Sequence, residues 1–89
     1  MAELIHEHAA HVRTPEGNRF SVRTYGEPRN DGTWIGWLEF EPQDRDVPHL
    51  RTEAETTQAS RDALDVWASG LEPVYLEGAF ARAHVVSRR

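Results

Sequence analysis

Histidines near the N-terminus are the first side chains whose spacing could support chemistry. The segment HEHAAH places His6 and His8 on one side of a strand, because alternate residues of a strand point the same way. Two imidazoles in that arrangement can supply two metal ligands, but a site needs at least a third. The chain offers only the distant His49 and His84 or scattered carboxylates. We therefore favour a polar edge strand over a metal site.

A second group with ligand chemistry is the segment DRDVPH, which brings Asp44, Asp46 and His49 into one loop. Oxygen and imidazole groups bind divalent ions, yet this spacing matches no recognised metal loop. Cysteine and lysine are both absent, which excludes thiolate nucleophiles, Cys-ligated metals, disulfides and Schiff-base lysines. Neither a G-x-S-x-G elbow nor a glycine-rich phosphate loop is present. The sequence predicts no catalytic residue, no metal site and no cofactor.

The best functional candidate is a surface formed by two predicted strands. In RFSVRTY, the apolar Phe20 and Val22 alternate with polar residues, as in a half-buried strand. In GTWIGWLEF, the three-residue spacing sends Trp34 to the core side of a strand and Trp37 to the other side. The two outward faces together would form a binding surface from the following residues: Trp37, Tyr25, Ile35, Arg23 and Arg19.

Such a surface predicts a non-enzymatic binding or protein-interaction module, because Trp, Tyr and Arg dominate interface energetics. Self-association would supply burial that a small chain lacks. The alternative is that the C-terminal segment covers this face, which would make Trp37 part of the core. Two other functions stay open. One is single-stranded nucleic-acid binding, with Trp37 and Tyr25 stacking on bases. The other is a small metal-dependent enzyme using His49 with Asp44 and Asp46, or His6 with His8.

The elements that must position this surface predict an α+β domain. We expect an antiparallel β-meander of three to four strands, followed by one or two C-terminal helices packed on one sheet face. A hairpin is indicated at Asp31-Gly32. LRTEAETT alternates like a fourth strand, although Thr52 and Glu55 also have the spacing of a helix-capping box. The predicted strands cover residues 4–13, 19–25, 32–40 and 50–57.

Helical periodicity is clearest in SRDALDVWASG, residues 60–70. Apolar residues recur there at i, i+3, i+4 and i+7, and Gly70 suits the end of a helix. Residues 73–86 can be interpreted as helix or strand. The helix is favoured, because Pro73 is acceptable in a first turn and a strand would place Arg82 on its apolar face.

Length, charge and hydropathy limit the partners that we expect. Eighty-nine residues, taken as one domain spanning 1–89, suit a small single core. The net charge of −5 opposes general nucleic-acid affinity, which depends on released counterions. No signal peptide or membrane span is recognisable, so we expect a cytoplasmic protein with a protein partner or a second copy of itself, and no membrane contact.

Two stretches resemble a known group of proteins. The run ETTQASRDALDVWASGLEPVYLEGAFARA, about a third of the chain, together with WIGWLEF, is similar to small uncharacterised bacterial proteins that form a domain of unknown function. The resemblance implies a stand-alone bacterial domain. It implies no activity and no site residue.

Overall fold

Six strands and two helices make up the fold of the computed structural model, which describes residues 1–86. The strands form one antiparallel sheet in the order β1-β2-β3-β4-β6, and β5 pairs with β3 beside β4. The elements in chain order are β1 (Glu3–Arg13), β2 (Arg19–Pro28), β3 (Trp34–Pro42), β4 (Leu50–Arg51), β5 (Thr56–Gln58), α1 (Arg61–Ser69), α2 (Pro73–Arg82) and β6 (His84–Val85). The predicted α+β class, with an antiparallel meander and two C-terminal helices on the sheet, is confirmed.

Glycines in the left-handed region close the two hairpins of the meander. Gly17 has a φ of 94° between β1 and β2, and Gly32 has a φ of 89° between β2 and β3. Asp31 supports the second turn, because one of its carboxylate oxygens accepts hydrogen bonds from both the amide and the hydroxyl of Thr33. The β2–β3 connection spans residues 29–33, so Asp31-Gly32 lies within the hairpin loop that the sequence indicated.

Nine consecutive residue pairs join β2 and β3, from Phe20 opposite Pro42 to Pro28 opposite Trp34. This unbroken register places alternate residues of both strands on the same side of the sheet. The side that the helices cover holds one apolar cluster, in which Phe80 of α2 contacts the rings of Phe20 and Phe40 at centroid distances of 4.9 and 5.2 Å. The buried members of this cluster are Val12, Phe20, Val22, Leu38, Phe40, Leu76 and Ala79.

The first strand is long but irregular. Its pairing with β2 shifts register between Leu4 and His6 and again between Glu7 and His11. Such bulges twist an edge strand and interrupt its ladder, which disfavours pairing with another chain. We therefore do not treat the outer edge of β1 as a binding edge.

The predicted fourth strand, residues 50–57, is only partly correct. Two short strands occupy its ends, and an irregular segment joins them. The hydroxyl of Thr52 accepts a hydrogen bond from the backbone amide of Leu38, while the Thr52 amide donates to the Leu38 carbonyl. Glu55 then donates its amide to the carbonyl of Gly36. Between the pairs Glu39–Arg51 and Gly36–Thr56, this segment uses two more residues than β3 does. A side-chain acceptor has replaced a backbone one, and the regular ladder breaks.

Both helices begin where the sequence predicts, but the second ends early. In α1, the Ser60 side chain accepts a hydrogen bond from the amide of Ala63 and caps the first turn. The predicted helix over residues 73–86 is wrong beyond Arg82, because Ala83 is extended and residues 84–85 form β6. Val86 donates its amide to the carbonyl of His49. Pairing with the free edge of β4 satisfies backbone groups there and competes with the last helical turn.

Close contact between α1 and the sheet requires two glycines. Leu64 is fully buried over Gly26 of β2 and Gly36 of β3, which lie opposite each other. A Cβ atom at Gly26 would lie 2.4 Å from Leu64 Cδ2 and 2.9 Å from the carbonyl oxygen of Ile35. A Cβ at Gly36 would lie 2.6 Å from Leu64 Cδ1. The absence of side chains on this pair sets how near α1 can lie to the sheet.

We expect Gly26→Ala to lower the free energy of unfolding by about 1–3 kcal/mol, because the added methyl overpacks the contact with Leu64 and with backbone. The matched control is Gly78→Ala in α2, where the nearest atom to the new Cβ is the Arg82 guanidinium at 3.6 Å. That variant should gain about 0.5–1 kcal/mol from helix propensity. Urea unfolding of both variants tests this, and equal stability of the two would refute the close-approach argument.

Candidate functional site

The side of the sheet opposite the helices is the candidate site, and we call it the open face. Both helices lie on the other side, where α1 places Leu64 against the sheet and α2 adds Leu76 and Ala79 to the apolar cluster. No helix among residues 1–86 covers the open face. Its principal side chains are Leu4, Glu7, Arg19, Arg23, Tyr25, Ile35, Trp37, Glu39, Glu41 and Arg51.

A row of apolar side chains crosses the open face. Leu4 of β1, Tyr25 of β2 and Trp37 of β3 occupy directly opposed register positions, and we call them the apolar row. Leu4 is 45 % exposed, whereas Tyr25 and the neighbouring Ile35 are partly exposed. The predicted surface residues Tyr25, Ile35 and Trp37 are therefore neighbours, as the sequence pattern indicated. Leu4 was not anticipated, because its place beside Tyr25 depends on the β1 bulge.

Four charged side chains cross the open face next to the apolar row. Glu7, Arg23, Glu39 and Arg51 lie opposite one another on β1, β2, β3 and β4, and we call them the charge row. The signs alternate along it. Arg23 Nε donates to Glu7 at 3.1 Å, and Arg23 Nη1 donates to Glu41 at 2.9 Å. The predicted site residue Arg23 is thus held between two carboxylates.

The expected roles of two tryptophans need correction. Trp34 and Trp37 do lie on opposite sides of β3, but Trp37 is only 4 % exposed and Trp34 is partly exposed, outside the apolar cluster. The Arg51 guanidinium lies 4.6 Å from the centre of the Trp37 ring, and Trp37 Nε1 donates to Glu39 at 3.0 Å. Trp37 is therefore buried on the open face without help from a helix. Trp34 is more exposed because it begins β3, beside the turn.

Arg19 is the predicted site residue that lies apart from the others. It occupies the far end of β2, six residues or roughly 20 Å from Tyr25. Its register partner on β1 is Arg13, so two like charges stand opposite each other at the first hairpin. The Arg19 Nε atom is buried and has no hydrogen-bond partner in the described part of the chain. Arg19 thus belongs to a separate basic corner.

The side chains with ligand chemistry do not converge. Asp44 accepts a hydrogen bond from the amide of Asp46 within its own turn, and His49 Nε2 instead lies 3.2 Å from Glu39 Oε1. His6 and His8 meet edge to face at 4.6 Å. Over residues 1–86, no group of three histidine or acidic side chains is arranged to hold a metal ion. A shallow surface depression lies at the β2–β3 turn, where Arg29, Asn30 and Asp31 form its walls.

Glu55 organises a polar cluster that ties the irregular segment to the helices. Its Oε1 accepts hydrogen bonds from the Tyr75 hydroxyl at 2.6 Å and from the Arg82 guanidinium. Burial, together with the hydrogen bond to the Glu55 carboxylate, raises the pKa of Tyr75 to about 12. Trp67 packs edge to face on Tyr75 at 6.0 Å. These contacts join Glu55 directly to α2, and Tyr75 in turn contacts Trp67 of α1. We assign them a structural role.

His8 is the titratable group with the clearest shift in the described residues. Its Nε2 lies 2.7 Å from the hydroxyl of Thr24, which is fully buried. Burial, and to a lesser degree the nearby His6, lowers the pKa of His8 from 6.5 to about 4. The neutral imidazole is therefore the form that the folded protein prefers.

Because the folded pKa of His8 lies below the unfolded value, its contribution to stability is fully present above pH 6.5. It is lost as the pH falls towards about 4. We expect the wild type to lose more unfolding free energy between pH 7 and pH 5 than His8→Gln, whose amide can still bond to Thr24 without titrating. Urea unfolding at both pH values measures this. An identical pH dependence would show that His8 is not the group responsible.

Removing the Arg51 side chain should expose Trp37. In a background of Trp34→Phe and Trp67→Phe, Arg51→Ala should shift tryptophan emission to longer wavelength and increase quenching by acrylamide. The loss of unfolding free energy should be about 1 kcal/mol, the scale of a cation–π contact. Arg13→Ala in the same background is the control and should leave emission unchanged. Unaltered quenching in Arg51→Ala would mean that other atoms bury the ring.

Comparison with known proteins found no match to a protein-family model, to a curated protein or to a solved structure. None of the helices in residues 1–86 is long and apolar enough to span a membrane. The function of this chain must therefore be inferred from the arrangement of its own side chains.

Proposed function

We propose that this protein is a non-enzymatic cytoplasmic interaction module that binds a protein partner through the open face. One observation carries the proposal. The apolar row lies beside the charge row on the side of the sheet that carries no helix in residues 1–86. A small apolar centre with a charged border is the usual composition of a protein interface.

The partly exposed members of the surface are suited to direct contact. Tyr25 and Ile35 present apolar area between charged neighbours, and Leu4 extends that area towards β1. Trp37 lies beneath Arg51 and serves as a rigid floor, so it contributes shape more than exposed area. Aromatic side chains fixed in this way lose little conformational freedom when a partner binds, which favours affinity.

The same geometry weighs against nucleic-acid binding. A stacking platform needs a free ring face, and Arg51 occupies one face of Trp37. Arg23 is bonded to the carboxylates of Glu7 and Glu41, so a phosphate would have to displace them. The net charge of −5 acts in the same direction, because anionic surfaces repel a phosphate backbone. The metal-enzyme alternative lacks support for a different reason, since no three of its possible ligands come together within residues 1–86.

Tyr25→Ser combined with Ile35→Ser should abolish partner binding while leaving the fold intact, because both side chains are partly exposed. The control is Val66→Ser with Val74→Ser, which removes apolar area from the helical side, where these valines are 73 % and 72 % exposed. The wild type and both variants are immobilised, and the proteins that each retains are quantified by mass spectrometry. Self-association of each is measured by light scattering. Circular dichroism verifies folding.

Two results would contradict the proposal. One is a wild type that neither retains any protein nor self-associates. The other is partner binding or self-association that is lost in Val66→Ser with Val74→Ser but kept in Tyr25→Ser with Ile35→Ser.

A further inference from the structure

We propose that the partner of the open face is a second copy of this chain, joined about a two-fold axis that runs parallel to the strands. In that dimer the charge row of one copy pairs with the reversed charge row of the other. The inference rests on the proposed function, because it uses the same face and names its partner.

The alternation of the charge row makes it complementary to itself. A two-fold axis parallel to the strands, passing between β2 and β3, reverses the order of the strands in the facing copy. Glu7 then faces Arg51 of the second copy, and Arg23 faces Glu39 of the second copy, so all four positions meet an opposite charge. An axis across the strands along this row would instead place each charge over its own counterpart, which like-charge repulsion disfavours.

The apolar row fits the same axis. Tyr25 and Trp37 are directly opposed on β2 and β3, on either side of the axis. The rotation therefore brings Tyr25 of one copy over the position of Trp37 in the other copy, where Arg51 covers the ring. The same contact repeats with the two copies exchanged. Two twisted sheets facing each other in this way form an aligned β-sandwich with about 10 Å between sheets. The pairing places the partly exposed Tyr25 of each copy at the centre of the interface, where contacts contribute most to affinity.

The shape of the molecule leaves room for such an interface. Its principal extents are 42, 32 and 18 Å, the short dimension holding one sheet and one helical layer. The broad side is large enough for the ~800 Å² per partner that a standard specific interface buries. A domain of this size also gains stability when a second copy shelters its apolar side chains.

Charge exchange between two variants tests the axis directly. Glu7→Arg alone places a new guanidinium against Arg51 of the other copy, and Arg51→Glu alone places a new carboxylate against Glu7. Each variant should weaken dimerisation by about 100-fold or more. A mixture of the two should form a heterodimer with near wild-type affinity, because the two introduced side chains carry opposite charges and face each other. The native Arg51 of one variant then meets the native Glu7 of the other.

A side chain at position 7 cannot pair with a side chain at position 51 of the same copy, because their strands are too far apart. Residues 7 and 51 lie three strands, roughly 14 Å, apart within one copy. Sedimentation velocity and light scattering measure the dissociation constants, and circular dichroism verifies that each variant is folded.

If either charge variant fails to fold, cross-linking takes the place of charge exchange. The chain has no cysteine, so a mixture of Glu7→Cys and Arg51→Cys can be treated with a short bis-maleimide. Covalent dimers should form in the mixture, and Glu7→Cys alone should give none.

The outcomes separate this inference from the proposed function. A monomeric wild type at ~200 µM overturns the second-copy inference, as does a dimer without rescue in the mixed variants or without a 7–51 cross-link. In each of those cases the proposed function survives if other proteins are retained by the wild type and lost with Tyr25→Ser and Ile35→Ser. A dimer that the mixture restores supports both.

Discussion

The uninterrupted pairing of β2 with β3 is the constraint on which the rest of this structure depends. Side chains alternate along a strand, so a shift of one residue would exchange the two sides of the sheet. With Thr24 opposite Leu38, the residues of both strands that belong to the apolar cluster lie on the helical side. Tyr25 and Trp37 consequently meet on the other. The register of β2 against β3 therefore determines both which residues form the apolar cluster and which lie on the open face.

On the helical side, the register also brings two glycines together. Gly26 and Gly36 lie opposite each other, and only their lack of a side chain lets Leu64 approach the backbone so closely. The contact holds α1 on the sheet, and Phe80 of α2 packs on the aromatic rings farther along. Both helices thus occupy one side. Residues 1–86 form two layers, and within them the second side of the sheet is left to its own side chains.

The open face is protected by polar contacts in place of a third layer. Arg51 over Trp37, and Glu39 on the indole nitrogen, bury a large ring with two charged residues. A planar guanidinium can lie on the face of an aromatic ring and cover it through a cation–π contact. This explains how an aromatic side chain can be buried on a side without helices. It also means that burial of Trp37 is not evidence that the apolar cluster extends through the sheet.

The sequence by itself determined the α+β class, the three long strands, the position of α1 and the placement of Trp34 and Trp37 on opposite sides. These follow from local periodicity and from turn residues such as Gly17 and Gly32, which act over a few positions. Only the tertiary structure decided that Trp37 is buried, that the fourth strand breaks at Thr52 and that helix α2 ends at Arg82. The physical reason is that each of these depends on a partner distant in the chain: a guanidinium, a backbone amide or a free strand edge.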